Sequence, residues 1–377
     1  MGTPKDLEQN ILCRMSNSRI TTLTEFLTDL EIATVSVVSG DDRPHPVHLL
    51  LEREEGRSQH RANVDNAIKQ VSLSNPAWLN DLKPRILQKH HSNAAAALAE
   101  LRAYGALLEA GFSVSPVPVG KKATPEFSVK AGEVEFIVEV HAKQQNLDTE
   151  RELEATRGTI RNQQRSPGEI TTNVTVVHPW ARATKKGDST TLNAISKICA
   201  IKGTEHQLRS DIPSIVWMDF QDLYSWDMAL SAEQFHPVLS WREHLTSGAL
   251  YYALYGWNGA PVYEQLHYSH LDLPSQIQWM RHDGRFLLSS VTSAVIVSLP
   301  MATILAESPR ANRQLPSEVR LRCLGLPHFG LNNSIAEWTP GLVARVLASN
   351  AKLICGLVGS EEPKEYLEFL QCLEILP

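Results

Sequence analysis

Three side chains capable of acid–base and charge chemistry recur at alternate positions in Phe136-Ile137-Val138-Glu139-Val140-His141-Ala142-Lys143. If this run is extended, Glu139, His141 and Lys143 share one face, and Phe136, Val138, Val140 and Ala142 share the other. Burying the apolar face fixes the strand and leaves a carboxylate, an imidazole and an ammonium in a row. A second carboxylate, Glu126, opens the preceding extended segment just after Thr124-Pro125. If the two segments pair as a hairpin, Glu126 comes within several ångströms of Glu139. Two carboxylates so placed repel one another, and a divalent cation relieves the repulsion. Oxygen ligands of this kind favour Mg²⁺ or Mn²⁺, and such a cation polarises a phosphodiester and activates water. Glu100, on the helix before these strands, supplies a third oxygen or orients the site, with Tyr104 one turn on.

The elements that must position these groups are legible around them. Ser92–Ala110 has Leu98, Leu101, Leu107 and Leu108 at helical spacing, with Ser92 or Asn93 to cap it and Gly111 to end it. The period then changes to two. Phe112–Val117, Glu126–Val129 and Val134–Ala142 read as strands, with a turn at Lys130-Ala131-Gly132-Glu133. Ser189–Arg209 reads as a helix burying Leu192, Ile195, Ile198, Cys199 and Ile201, and Ile212–Phe220 as a buried strand.

The run Glu100-Leu-Arg-Ala-Tyr-Gly-Ala-Leu-Leu-Glu-Ala-Gly-Phe, then Pro125-Glu126-Phe127, then Val138-Glu139-Val140-His141 resembles the PD-(D/E)XK nuclease superfamily. The resemblance is close over residues 94–143 and extends to Phe220 if the following helix and strand are those of the family. It implies a restriction-endonuclease-like α/β (α+β) core, a mixed β-sheet flanked by helices, with N- and C-terminal additions. It also implies that Glu100, Glu126 and Glu139 surround a metal ion. There are two departures. Glutamate stands at 126 where aspartate is more frequent, and His141 stands where the family's lysine is expected. A neutral histidine serves as a general base near neutral pH or binds the metal. Lys143 lies roughly 6–7 Å further along the same face, and Lys197 or Lys202 of the next helix offers another ammonium.

Residues 144–188 read as a polar insertion. Within it Arg157, Arg161, Arg165, Arg182, Lys185 and Lys186 face a single acid, Glu169, a set suited either to tracking a phosphate backbone or to a solvated loop. Lys121-Lys122 is a smaller case of the same kind. The aromatic stretch Trp241–Tyr268, with Tyr251, Tyr252, Tyr255, Trp257 and Tyr263, suits core or dimer packing better than base stacking. His267, His270 and His282 lack the spacing of a zinc site.

The remaining chain sets bounds. Its 377 residues suffice for two ordinary domains. The expected division is an N-terminal α+β region at 1–90, the nuclease-like core at 91–222 and a C-terminal α/β region at 223–377. In the first region a helix is expected near Leu23–Leu30, extended runs at Ile32–Val38 and Val47–Leu51, an exposed charged stretch at Arg53–His60 and a short helix from Asn75-Pro76. Val291–Leu299 reads as a strand of undecided sheet, and Leu342–Val346 as part of a helix. The net charge of −6 gives no global attraction to nucleic acid, so any basic surface is local. Five scattered cysteines without a C-x-x-C pair suit a reducing cytoplasm. Neither a secretory signal nor a long apolar span is evident. The expectation is a cytoplasmic, Mg²⁺- or Mn²⁺-dependent nuclease acting on DNA in preference to RNA, in defence or DNA processing. No membrane partner is expected, and action as a homodimer or within a larger assembly is. The alternatives are a degenerate relative that binds nucleic acid or a protein without cleaving, or an unrelated α/β protein whose acids are surface groups.

Overall fold

The structure, a computed structural model, describes residues 20–35, 43–52, 58–118, 124–144, 151, 155, 190–199, 207–222, 235, 239–241, 244–262, 266–267 and 278–329. The chain falls into two compact units, Met1–Glu109 and Ala110–Pro377.

The described part of the first unit is helical throughout: α1 (Leu23–Phe26), α2 (Asp29–Val35), α3 (Pro46–Leu51), α4 (Ser58–Ser74), α5 (Pro76–Ile86) and α6 (His91–Glu109). The two extended runs expected here are therefore corrected, as far as they are described, and the capping chemistry supplies the reason. Thr28 and Glu31 bond each other's backbone amides at 3.3 and 2.7 Å, a reciprocal box that starts α2. At α3, Pro46 occupies the first turn and the His45 Nδ1 accepts from the Val47 amide. That bond puts the ring proton on Nε2, which donates to the Gln88 carbonyl. The single expected helix at Leu23–Leu30 is two helices, because Leu27 is extended between them. His60, expected to be exposed, is buried on α4 beside Val64, Ala67 and Ile68.

Helix α6, rich in alanine and leucine, is buried nearly all round, as a helix apolar on every side must be. Gly105 permits this closeness. A Cβ there would stand 2.4 Å from the Ala67 Cα of α4. Asn75 caps α5 through Trp78 N and donates its amide to the Tyr104 hydroxyl, tying α5 to α6.

The second unit is built on a six-stranded mixed sheet in the order β1-β2-β3-β4-β10-β11. Its strands are β1 (Ser113–Pro116), β2 (Phe127–Ala131), β3 (Val134–Ala142), β4 (Ser214–Asp219), β10 (Ala294–Leu299) and β11 (Ala302–Glu307). Strands β1, β2 and β3 form an antiparallel meander, β4 runs parallel to both β3 and β10, and β10–β11 is a hairpin. Val291–Leu299 thus contributes β10 to this same sheet. Gly132, at φ +59°, makes the β2–β3 turn that only glycine adopts without strain. Every residue of β4 is buried, as expected of a parallel strand covered on both sides.

Helices α7 (Thr190–Cys199) and α8 (Ala249–Tyr255) cover one sheet face, where Ile137, Val216, Met218, Val295, Val297 and Ile304 meet Leu192, Ile195, Ile198 and the α8 tyrosines. The helix expected to reach Arg209 does not do so. Gln207–Ser210 is a turn, with Gln207 donating to the Thr124 carbonyl and the Arg209 amide to Ser214 Oγ. Two small sheets, β5 (Leu239–Trp241), β6 (His244–Thr246) and β8 (Leu266–His267), and β7 (Pro261–Val262) with β9 (Gln278–Trp279), complete the strands among the described residues. The short helices α9 (Arg285–Leu288) and α10 (Ser317–Cys323) flank the sheet strands β10 and β11 in sequence. No helix among the described residues is long and apolar enough to cross a membrane.

Candidate active site at the end of strand β3

The β2–β3 ladder stops at Phe127 opposite Val138. The residue before β2 is Glu126, opposite Glu139 in the continued register. Beyond the end of the ladder the Val140 amide donates to a side chain, Glu126 Oε2, at 2.9 Å. The Glu126 carboxylate is thereby pinned to the backbone immediately after Glu139.

On β3 the alternation holds as read from the sequence. Glu139 and His141 follow Ile137 on the face covered by α7 and α8. The Glu139 side chain is 3% exposed and that of His141 is 25% exposed. This burial removes the reading of Glu139 as a surface carboxylate. His141 Nε2 lies 3.7 Å from Glu139 Oε1, beyond hydrogen-bond range. Burial, with the positive charges of Arg285 and Lys143, pushes His141 down to about 4. At neutral pH the imidazole is thus neutral, and the contact is not a charge pair.

Lys143 completes the row. Its amide donates to the Asp219 carbonyl of β4, and its Nζ to the Lys197 carbonyl in the last turn of α7, at 3.3 Å. Burial, Lys197 and Arg285 push its ammonium down to about 8. Lys197 itself is exposed. Cys199 donates to the Ala253 carbonyl, and burial raises its thiol to about 12 against the opposing pull of Arg285.

Arg285 was not anticipated. It opens α9 and is 7% exposed, yet its charge bears on His141, Lys143 and Cys199. Two glycines put it there. The Gly284 amide donates to the Gly256 carbonyl, and a Cβ on Gly284 would come 2.9 Å from the Gly256 backbone. The signal in the sequence is an arginine set directly before Phe286-Leu287-Leu288, a charge where an apolar run is to be buried. Nearby, the Ser196 hydroxyl of α7 and His282 Nε2 lie 3.4 Å apart.

The structure brings together Glu126, Glu139, His141 and Lys143. Glu100 lies in the first unit, where both its carboxylate oxygens receive Arg85 at 2.5 and 2.6 Å. Its expected service as a metal ligand thus meets a guanidinium already in place. Arg157, Arg161, Arg165, Arg182, Lys185 and Lys186 lie outside the described residues, as do Lys121, Lys122, Lys202, Tyr263, His270 and Leu342–Val346. Tyr251, Tyr252, Tyr255 and Trp257 are buried and pack on one another and on Phe286, so they are core residues.

Among the described residues, no group of three or more His, Cys, Asp or Glu is placed to hold a metal ion. At β3 there are two carboxylates, Glu126 on the Val140 amide and Glu139 buried in the strand. One or two carboxylates, with water and substrate phosphate, is the kind of set Mg²⁺ takes, so these two residues fit such an ion by type. Comparisons with protein-family models, with curated proteins and with solved structures find no match to this chain.

Proposed function

We propose that the chain is a metal-dependent nuclease, with a restriction-endonuclease-like core centred on Glu139. The observation that carries this reading is the placement of Glu139. It is buried in the third strand of an antiparallel meander, beside a parallel fourth strand reached through a helix, with Glu126 pinned at the following amide. Glu126 and Glu139 hold Mg²⁺ or Mn²⁺, which supplies Lewis-acid polarisation of a phosphodiester. His141, neutral at pH 7, is able to accept a proton from water at Nε2 or Nδ1. Lys143 faces the phosphate as an ammonium. DNA is the proposed substrate, in defence or DNA processing within the cytoplasm, with the chain acting as a homodimer or in a larger assembly.

The test is cleavage of duplex DNA, single-stranded DNA and RNA by the full chain with Mg²⁺ or Mn²⁺, beside Glu139→Gln. Cleavage that survives Glu139→Gln sinks the assignment of the site. Binding without cleavage favours the second reading, a non-cleaving relative, which the neutral His141 at the position of the family lysine supports.

A further inference from the structure

Among the described residues, His141 Nε2 is shut off from solvent and makes no hydrogen bond. A buried polar nitrogen of this kind carries a desolvation cost, which an ordered water or an ion commonly removes in native proteins. The acid beside it is Glu139, whose Oε1 lies 3.7 Å away and whose side chain is 3% exposed. Three arrangements predict three separations. A direct hydrogen bond would bring the two atoms to about 2.8 Å, and a bridging water would hold them roughly 4.6 Å apart. A metal ion about 2.1 Å from each would hold them roughly 3.4 Å apart in a tetrahedral array. The 3.7 Å found here is closest to the last, and a closure of a few tenths of an ångström completes it.

The strand fixes this pair. Glu139 and His141 are alternate residues of β3, on one face, and their backbones pair with Val216 and Met218 of β4. The Val140 amide between them is held by Glu126. Only side-chain rotation is left to bring the two donors together. Glu139 keeps its other contacts while binding an ion, since an ionised carboxylate accepts at about four lone-pair sites. With the ring proton on Nδ1, Nε2 presents a lone pair. An imidazole nitrogen also sorts ions. Mg²⁺ takes oxygen ligands, whereas a mixed nitrogen and oxygen set suits first-row transition metals.

We infer that His141 Nε2 and Glu139 Oε1 are ligands of one divalent ion, and that the nitrogen makes the site prefer Mn²⁺ or a later first-row ion to Mg²⁺. This deepens the nuclease reading and rests on its assignment of Glu139 as a metal ligand. With Nε2 on the ion, the part of the ring is to select the ion and not to move a proton.

The test titrates MnCl₂ and MgCl₂ separately into the full chain by calorimetry, without nucleic acid. Pulsed EPR of the bound Mn²⁺ then reads the nitrogen modulation of a coordinated imidazole. Wild type is expected to bind Mn²⁺ more tightly than Mg²⁺ and to show the modulation. His141→Gln is expected to lose it and to bind Mn²⁺ about tenfold more weakly or worse, at least the effect of losing an outer-shell partner. Its Mg²⁺ affinity is expected to change little. A wild-type spectrum without nitrogen modulation overturns the inference with no variant needed. So does a folded His141→Gln that keeps the modulation and the preference for Mn²⁺; His141→Asn replaces it if it does not fold. Mn²⁺ bound through Glu139 without nitrogen modulation leaves the nuclease reading standing and removes this one. Modulation lost in both His141→Gln and Glu139→Gln, in a chain that never cuts nucleic acid, does the reverse. No binding of either ion removes both.

Discussion

The Glu126 carboxylate accepts the backbone amide of Val140, the residue directly after Glu139. A side chain thus supplies the acceptor just beyond the end of the β2–β3 ladder. Removing it leaves a part-buried amide without its acceptor. Glu126→Ala is expected to cost about 1–3 kcal/mol, the range for leaving a buried donor unsatisfied. Glu126→Gln, which keeps an oxygen acceptor, is expected to retain most of this. Amide exchange at Val140 by NMR reports it directly; unchanged protection in Glu126→Ala contradicts this role.

Lys143 gives a pH dependence whose sign follows from its depression from 10.5 to about 8. Between these values the unfolded chain binds more protons than the folded one, so stability rises with pH across the window. Below about 8 both states carry the proton and the full penalty remains. The effect is of order 1–3 kcal/mol, reduced by the partial exposure of the side chain. Denaturant titrations of wild type and Lys143→Met from pH 7 to 10.5 are expected to differ most at the acid end, with the variant the more stable. Parallel curves over that range contradict it.

The neutral state of His141 explains why a lysine is poorly suited to its position. Burial first, and then Arg285 and Lys143, hold the imidazole unprotonated, and an ammonium there would meet the same three effects. His141→Lys is expected to lower stability by about 1–3 kcal/mol. His141→Gln is expected to be much milder. A His141→Lys variant as stable as wild type would show that the cations at β3 are better screened than their burial implies.

Gly105→Ala tests the packing of the first unit. The added methyl carbon meets the Ala67 backbone at 2.4 Å, where no flexible side chain can yield. The gain in helix propensity, up to about 1 kcal/mol, is outweighed by overpacking of about 1–3 kcal/mol or more. Urea denaturation is expected to show a net loss, partly recovered in Gly105→Ala with Ala67→Gly.

Cys199 and Cys323 are buried, with thiols pushed up to about 12. At pH 8 both are expected to react with an aromatic disulfide reagent only on unfolding. Rapid labelling of either in the native protein, located by peptide mass, would show that its helix opens.

Local patterns carried most of what was legible in the sequence. The strand at Val134–Ala142 and the helical spacing of Leu98, Leu101 and Leu107 reflect single elements, and both elements are found where expected, though β3 is buried on both faces from Phe136 to Val140. Ile32–Val35 and Val47–Leu51 failed because short apolar runs fit either period; the deciding groups, Glu31 and His45, act through caps that apolar periodicity does not register. Arg285 was out of reach for another reason. Its place beside His141 depends on Gly256 and Gly284 meeting across the fold, which no spacing within one element encodes. Whether Val291–Leu299 joined the main sheet was equally non-local, since it required knowing that Ile215 faces Ala294.

The parallel pairing of β4 with both neighbours has a kinetic side. Val138 must find Ile215, and Ile215 must find Ala294, before the sheet is continuous. Closing such long loops costs entropy before any contact offsets it, and sheets dominated by distant pairings fold slowly. The β1–β2–β3 meander needs only near neighbours and is able to form first. Glu139 then sits on a half-built sheet until β4 docks and α7 and α8 cover its face. The chemistry of the site is therefore assembled last, and a chain caught partway exposes the apolar flank of β3 to other chains.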